Sequence, residues 1–74
     1  MKAYVLITTK PGTSEDVVKA IKEIKEVAEV DSVWGRYDAI AVIDAPNLEK
    51  ITEIIYKVVA KHPDIVHTET SITL

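Results

Sequence analysis

"SVWGRYDAIAVID" occupies Ser32 to Asp44. Apolar residues reach Trp34, Gly35-Arg36-Tyr37-Asp38 interrupts them, and Ala39 to Ile43 is apolar again. Two short apolar runs around a few residues that include Gly read as a hairpin. The hairpin divides the chain into similar halves. Each runs strand, proline, polar cap, helix, strand.

Upstream, "KAYVLITT" (Lys2–Thr9) is rich in β-branched and aromatic residues and ends at Pro11-Gly12, a strand and then a turn. Thr13 or Ser14 is placed to cap a helix, with Glu15 and Asp16 in its first turn. Val17, Ile21, Ile24 and Ala28 recur at helical spacing. Lys19, Lys22, Glu23, Lys25 and Glu26 make a solvated face, with Glu15–Lys19 and Lys22–Glu26 as i,i+4 partners. "VDSVW" (Val30–Trp34) reads as the second strand and "AIAVIDA" (Ala39–Ala45) as the third. Pro46 stops that strand and Asn47 suits an N-cap. Leu48, Ile51, Ile54, Ile55, Val58 and Val59 form the apolar stripe of a second helix. It ends near Lys61-His62, because a residue before proline (Pro63) avoids helical angles. His62 suits a capping role at that end. "IVHTETSITL" (Ile65–Leu74) closes the chain as a strand.

The order is βαββαβ. Two interleaved right-handed βαβ units make an α+β, ferredoxin-like sandwich: a four-stranded antiparallel sheet with two helices on one face. One domain over residues 1–74 is expected.

The other face carries information. In the first strand Ala3, Val5 and Ile7 point one way, and Tyr4 and Leu6 the other. In the third, Ala39, Ala41 and Ile43 oppose Ile40 and Val42. A half-solvated strand would alternate apolar and polar. A large open apolar face marks an interface, so the chain is expected to dimerise through its sheet. Size argues the same way, since 74 residues supply a core worth only about 3–5 kcal/mol without a staple. There is no Cys for disulfides, and His62 and His67 lack ligand spacing, so no metal or cofactor is expected.

A net charge of −3 argues against direct nucleic-acid binding. No signal-peptide pattern and no run near the roughly 20 apolar residues of a membrane span is present, so a cytoplasmic location without membrane contact is expected. Abundant Lys, Glu, Ile and Val, with no Gln and only Asn47 as Asn, are compatible with a thermophile.

No constellation looks catalytic. Ser and Thr have no His at a motif spacing, and "KPGT" lacks the glycine pattern of a phosphate loop. RNA binding on such a sheet would need stacked aromatics and basic residues, where this chain offers Tyr4, Trp34 and an acidic balance.

"AYVLITTKPG", "VWGRYDAIAVIDAPNLEKI" and "HTETSITL", in this order, resemble the ligand-binding (RAM) domain of the Lrp/AsnC transcription regulators over essentially the whole chain. Gly-x-Tyr-Asp before an apolar strand is the most specific piece. The resemblance implies dimers assembled into rings, as octamers or decamers, with amino-acid effectors bound between dimers. Typical members carry a DNA-binding helix-turn-helix ahead of this domain. This chain starts at the first strand and reads as a stand-alone, non-enzymatic effector domain, with full-length regulators among its conceivable partners. The implied ligand site is the loop Gly35, Arg36, Tyr37 and Asp38 with Thr68 and Thr70 of the last strand. A free amino acid needs donors for its carboxylate: backbone N–H near Gly35, the threonine hydroxyls and the fork of Arg36. Its ammonium needs an acceptor, for which Asp38 is the candidate, and Tyr37 would wall the pocket. On this reading Asp38→Ala weakens binding and leaves the fold intact. Taken without the resemblance, the same residues form a plain hairpin tip in which Gly35 supplies a positive φ. A small dimeric α+β barrel enzyme and a purely structural assembly domain are also compatible with the pattern.

Overall fold

The computed structural model describes residues 1–74. Six elements follow the expected order: β1 (Lys2–Thr9), α1 (Ser14–Lys22), β2 (Val27–Ser32), β3 (Ala39–Asp44), α2 (Leu48–Val59) and β4 (Ile65–Ile72). The strands form one antiparallel sheet in the order β2-β3-β1-β4. This is the ferredoxin-like arrangement, with α1 and α2 on one face. No helix is long and apolar enough to cross a membrane.

The core lies between that face and the helices. Ala3, Val5 and Ile7 of β1 and Ala39, Ala41 and Ile43 of β3 are fully buried, with Val17 and Ile21 of α1 and Ile51, Ile54 and Val58 of α2 above them. Period-2 burial in the strands meets period-3.6 burial in the helices, as two layers require. The stripe of α2 is narrower than its sequence implies: Leu48 and Val59 at its two ends are exposed.

The start of α2 is fixed by Asn47, whose side chain accepts a hydrogen bond from the Lys50 N–H at 2.8 Å. At α1 the expected side-chain cap is absent. The Thr13 hydroxyl instead donates to the Lys10 carbonyl at 2.7 Å, closing the turn in which Gly12 takes φ +79. A hydroxyl committed to the turn before the helix does not cap the helix.

The boundary between α1 and β2 differs from the periodicity. The N–H groups of Glu23 and Ile24 bond to the carbonyls of Ala20 and Ile21, an i→i−3 tightening that ends the helix. Ile24 is buried in the connection, whereas Ala28 lies in β2 and is exposed. Pairing begins at Val27, opposite Ile43. Sheet hydrogen bonds have won over a helical spacing that Ile24 satisfies equally well from a turn.

The i,i+4 pairs give way to pairs between elements. Lys57 bonds Glu26 at 2.6 Å and Lys61 meets Glu23 at 3.2 Å, tying the α1–β2 connection to α2. His62 does not cap α2, which ends at Val59: its Nδ1 accepts from the Asp64 N–H at 3.0 Å, in the turn that leads into β4.

The face away from the helices is uncovered. Tyr4 is 39% exposed there, and Leu6, Ile40 and Val42 are half-buried. Register continues this division into β4. Thr68 and Thr70 stand opposite Ile7 and Val5, on the helix side, while His67 and Glu69 stand opposite Thr8 and Leu6, on the open side.

Candidate functional site

Residues 33–38 form the loop between β2 and β3. The Val33 N–H bonds the Asp38 carbonyl at 2.9 Å and closes it, so β2 stops at Ser32 and Trp34 stands fully in solvent. At the loop's far end the Asp38 N–H bonds the Ile7 carbonyl at 2.9 Å, and Asp38 Oδ2 accepts from the Thr9 N–H at 2.8 Å. Asp38 is thus held from both its backbone and its side chain, half-buried, with Oδ1 left free of any partner within the chain.

The Tyr37 hydroxyl crosses β1 and donates to the Glu69 carboxylate on β4. That bond, and secondarily desolvation, raises the Tyr37 hydroxyl above the ordinary tyrosine range. The other Glu69 oxygen lies 4.0 Å from Nε2 of the exposed His67. Tyr37, Glu69 and His67 therefore form a polar chain along the open face.

Gly35 and Arg36 are exposed at the loop's tip. Gly35 is not in the left-handed region, so no turn conformation demands glycine there. A Cβ built on Gly35 would meet nothing within 4 Å. The space a side chain would fill is open to whatever approaches from outside. Arg36 acts on Tyr37 through charge alone, opposing the effect of Glu69.

The structure brings Gly35, Arg36, Tyr37 and Asp38 into one loop. It does not bring Thr68 and Thr70 to the face on which Tyr37 meets Glu69, because their register turns them to the helix side. Glu69, absent from the sequence-based set, is the β4 residue that the loop does touch. The signal for it was the strand's alternation, which places an acid on the face opposite the two threonines, but which face met the loop depended on register with β1.

The model of the Lrp/AsnC ligand binding domain family matches residues 2–74. The chain belongs to this family. This Lrp/AsnC domain is similar to a hypothetical protein of Pyrococcus horikoshii, with 29% identity, 99% of this chain and 88% of that chain covered, and a TM-score of 0.87. It is similar to a Thermus thermophilus protein at 29% identity, with 99% and 91% covered and a TM-score of 0.88. A feast or famine regulatory protein of M. tuberculosis, complexed with L-methionine, shares its fold. There the identity is 20%, the TM-score 0.79, and the domain covers 49% of that chain with 99% of its own. No curated protein matches this Lrp/AsnC domain.

Proposed function

We propose that this domain is a non-enzymatic amino-acid sensor, assembling through the open face of its sheet and binding a free α-amino acid at the loop Gly35–Asp38. The observation that carries the reading is family membership over residues 2–74. The fold shared with a regulator complexed with L-methionine supports it, as does the apolar face of Tyr4, Leu6, Ile40 and Val42. The loop offers matching chemistry. Asp38 Oδ1 would accept from the ammonium, while Gly35 N–H and the Arg36 fork would receive the carboxylate. Thr68 and Thr70, on the other side of β4, would reach a ligand only from a neighbouring copy, so the site is complete only in an assembly.

A thermal-shift screen of the twenty amino acids at about millimolar concentration, with light scattering in parallel, tests this. A ligand at a hundred times its Kd adds about 2.7 kcal/mol of stability, so a true effector gives a clear rise in melting temperature. An assembled protein that no amino acid stabilises would fit a second reading, a purely structural domain. One observation favours that second reading: the Tyr37 hydroxyl and one Asp38 oxygen are already engaged within the chain.

A further inference from the structure

The sheet has two free edges, β2 and β4, and they are not alike. The Val33 N–H bonds the Asp38 carbonyl, and the Thr73 N–H bonds the Lys2 carbonyl. Antiparallel alternation then turns the backbone groups of Val30 and Ser32 outward on β2, and those of Thr68, Thr70 and Ile72 outward on β4. β2 is short, breaks register between Val27 and Glu29, and carries exposed Glu29 and Asp31 without an ion-pair partner. Shortness, irregularity and charge keep an edge from pairing. β4 has none of these guards. It is 8 residues long, in regular register from His67 to Ile72, and without Lys or Pro. Its only acid, Glu69, already holds the Tyr37 hydroxyl.

The helix layer leaves the same side bare. α1 lies over β2 and β3, and α2 over β1 and β3. Lys57 reaches back to Glu26 on the α1 side. At 3.6 residues per turn, Leu48 stands on the opposite side of α2 from Lys57, with Val59 beside it. Both are exposed on the flank toward β4, and Val66 and Ile72 of β4 itself are exposed too.

We infer that β4 is a pairing edge whose occupant is β4 of a second copy, antiparallel about a twofold axis normal to the sheet. This seam is separate from the open face and does not depend on amino-acid binding. Its register follows from the residues. Centring on Glu69 sets that carboxylate opposite its own copy, a like-charge pair. Centring on Thr68 runs the ladder into the stretch between Ile65 and His67, where the register with β1 slips. Centring on Thr70 pairs Thr70 with Thr70, Thr68 with Ile72, and Glu69 with Ser71 of the second copy. Every outward N–H and carbonyl of Thr68, Thr70 and Ile72 then has a partner. The cross-strand contacts on the helix side are all between β-branched residues, and no like charges meet. The axis keeps the helices of both copies on one side, so the two flanks of Leu48 and Val59 face each other across the seam.

One strand pair is far smaller than the roughly 1,200 Å² of a stable interface. The seam therefore forms at about millimolar chain, above the concentrations at which melting is read. The test is amide hydrogen exchange, resolved by residue, at about 50 μM and about 2 mM chain. The Thr68, Thr70 and Ile72 amides should exchange about two- to threefold more slowly at the higher concentration, as a Kd of about 1 mM requires. The Val30 and Ser32 amides should keep one rate. The same should hold in Val42→Lys, whose open face carries a charge. Thr70→Pro removes one outward N–H and no bond to β1, so its Ile72 amide should lose the slowing. Thr70→Lys, which sets like charges opposite each other, should do the same without altering the backbone. Rates indifferent to concentration overturn the seam, as does a slowing shared by Val30 and Ser32 or one that survives both Thr70 variants. A slowing present in the wild type and absent from Val42→Lys belongs to the open face, and it overturns the seam while leaving the proposed self-association standing.

Discussion

Asp38 Oδ2 and the Thr9 N–H meet at 2.8 Å, where the register between β1 and β4 slips between Thr8 and Thr9. On the β3 side the ladder with β1 ends at Ile7, and the Asp38 carboxylate satisfies the Thr9 N–H just past that end. The residue read from sequence as a ligand's acceptor therefore already has a task within the fold.

That changes the expected outcome of removing it. Asp38→Ala should lower the free energy of unfolding by about 1.5–3 kcal/mol, the range for a hydrogen bond to a charged group, rather than leave the fold untouched. Asp38→Asn keeps an acceptor for Thr9 and should cost less. Both should weaken amino-acid binding by about ten- to a hundredfold if Oδ1 holds the ammonium. Chemical denaturation beside calorimetry separates the two roles. An Asn variant that binds like the wild type removes Asp38 from the ligand site.

Gly35 offers the opposite case. With no positive φ to lose and nothing within 4 Å of an added Cβ, Gly35→Ala should change stability by no more than about 1 kcal/mol, and in the favourable direction, because it restricts the unfolded chain. If a ligand or a second copy must approach the backbone there, the same methyl group should impair binding or assembly. Thermal melting and effector titration on one preparation decide it. Gly12, at φ +79, is the contrast: Gly12→Ala should destabilise by about 1–2 kcal/mol through backbone strain.

The Glu26–Lys57 pair gives a pH prediction. The Lys57 ammonium bonded to it holds Glu26 below the usual carboxylate range, and Glu26 in turn raises Lys57 above the usual lysine range. The depressed acid contributes stability above its unfolded pKa, and that is lost as pH falls through the lower folded value. The raised base contributes below its unfolded pKa, and that is lost as pH rises through the higher folded value. The coupling between Glu26→Gln and Lys57→Met should be flat across the neutral range and fade at both extremes. Both side chains are exposed enough that salt should weaken it throughout. A coupling that persists in molar salt would mean that packing, not charge, joins the two elements.

Local patterning made most of this fold legible. The limits of β1 at Lys2 and Thr9 follow from its β-branched run and the Pro11-Gly12 turn, and Asn47 marked the start of α2. The double-sided apolar pattern of β1 and β3 identified an uncovered face. Where the reading failed, a non-local interaction decided. Ile24 fits helical spacing and also fits a tight turn, and only the pairing of Val27 with Ile43 selects the latter. Glu23 and Glu26 suited intrahelical partners, yet Lys57 of α2 meets Glu26 and Lys61, in the turn after α2, meets Glu23. Glu69 and the side on which Thr68 stands depend on how β4 registers with β1, which no stretch of β4 alone reveals.

The two faces of the sheet should respond differently to substitution. Ile51 on α2 is fully buried against the core, so Ile51→Ala should cost about 2–5 kcal/mol. A single chain of this size has little more than that to lose, and the variant should be largely unfolded as a monomer. Val42 lies at the centre of the open face and only half-buried. Val42→Lys should leave the helix-side core intact while placing a charge where a second copy would sit. If the face is an interface, the wild type should melt at a temperature that rises with protein concentration, since assembly stabilises by mass action. The Val42→Lys protein should then melt lower and independently of concentration, with a native circular dichroism spectrum below its transition. A wild type whose melting ignores concentration, together with a Val42→Lys protein of equal stability, would show that the apolar face of Tyr4, Leu6, Ile40 and Val42 stays open to water.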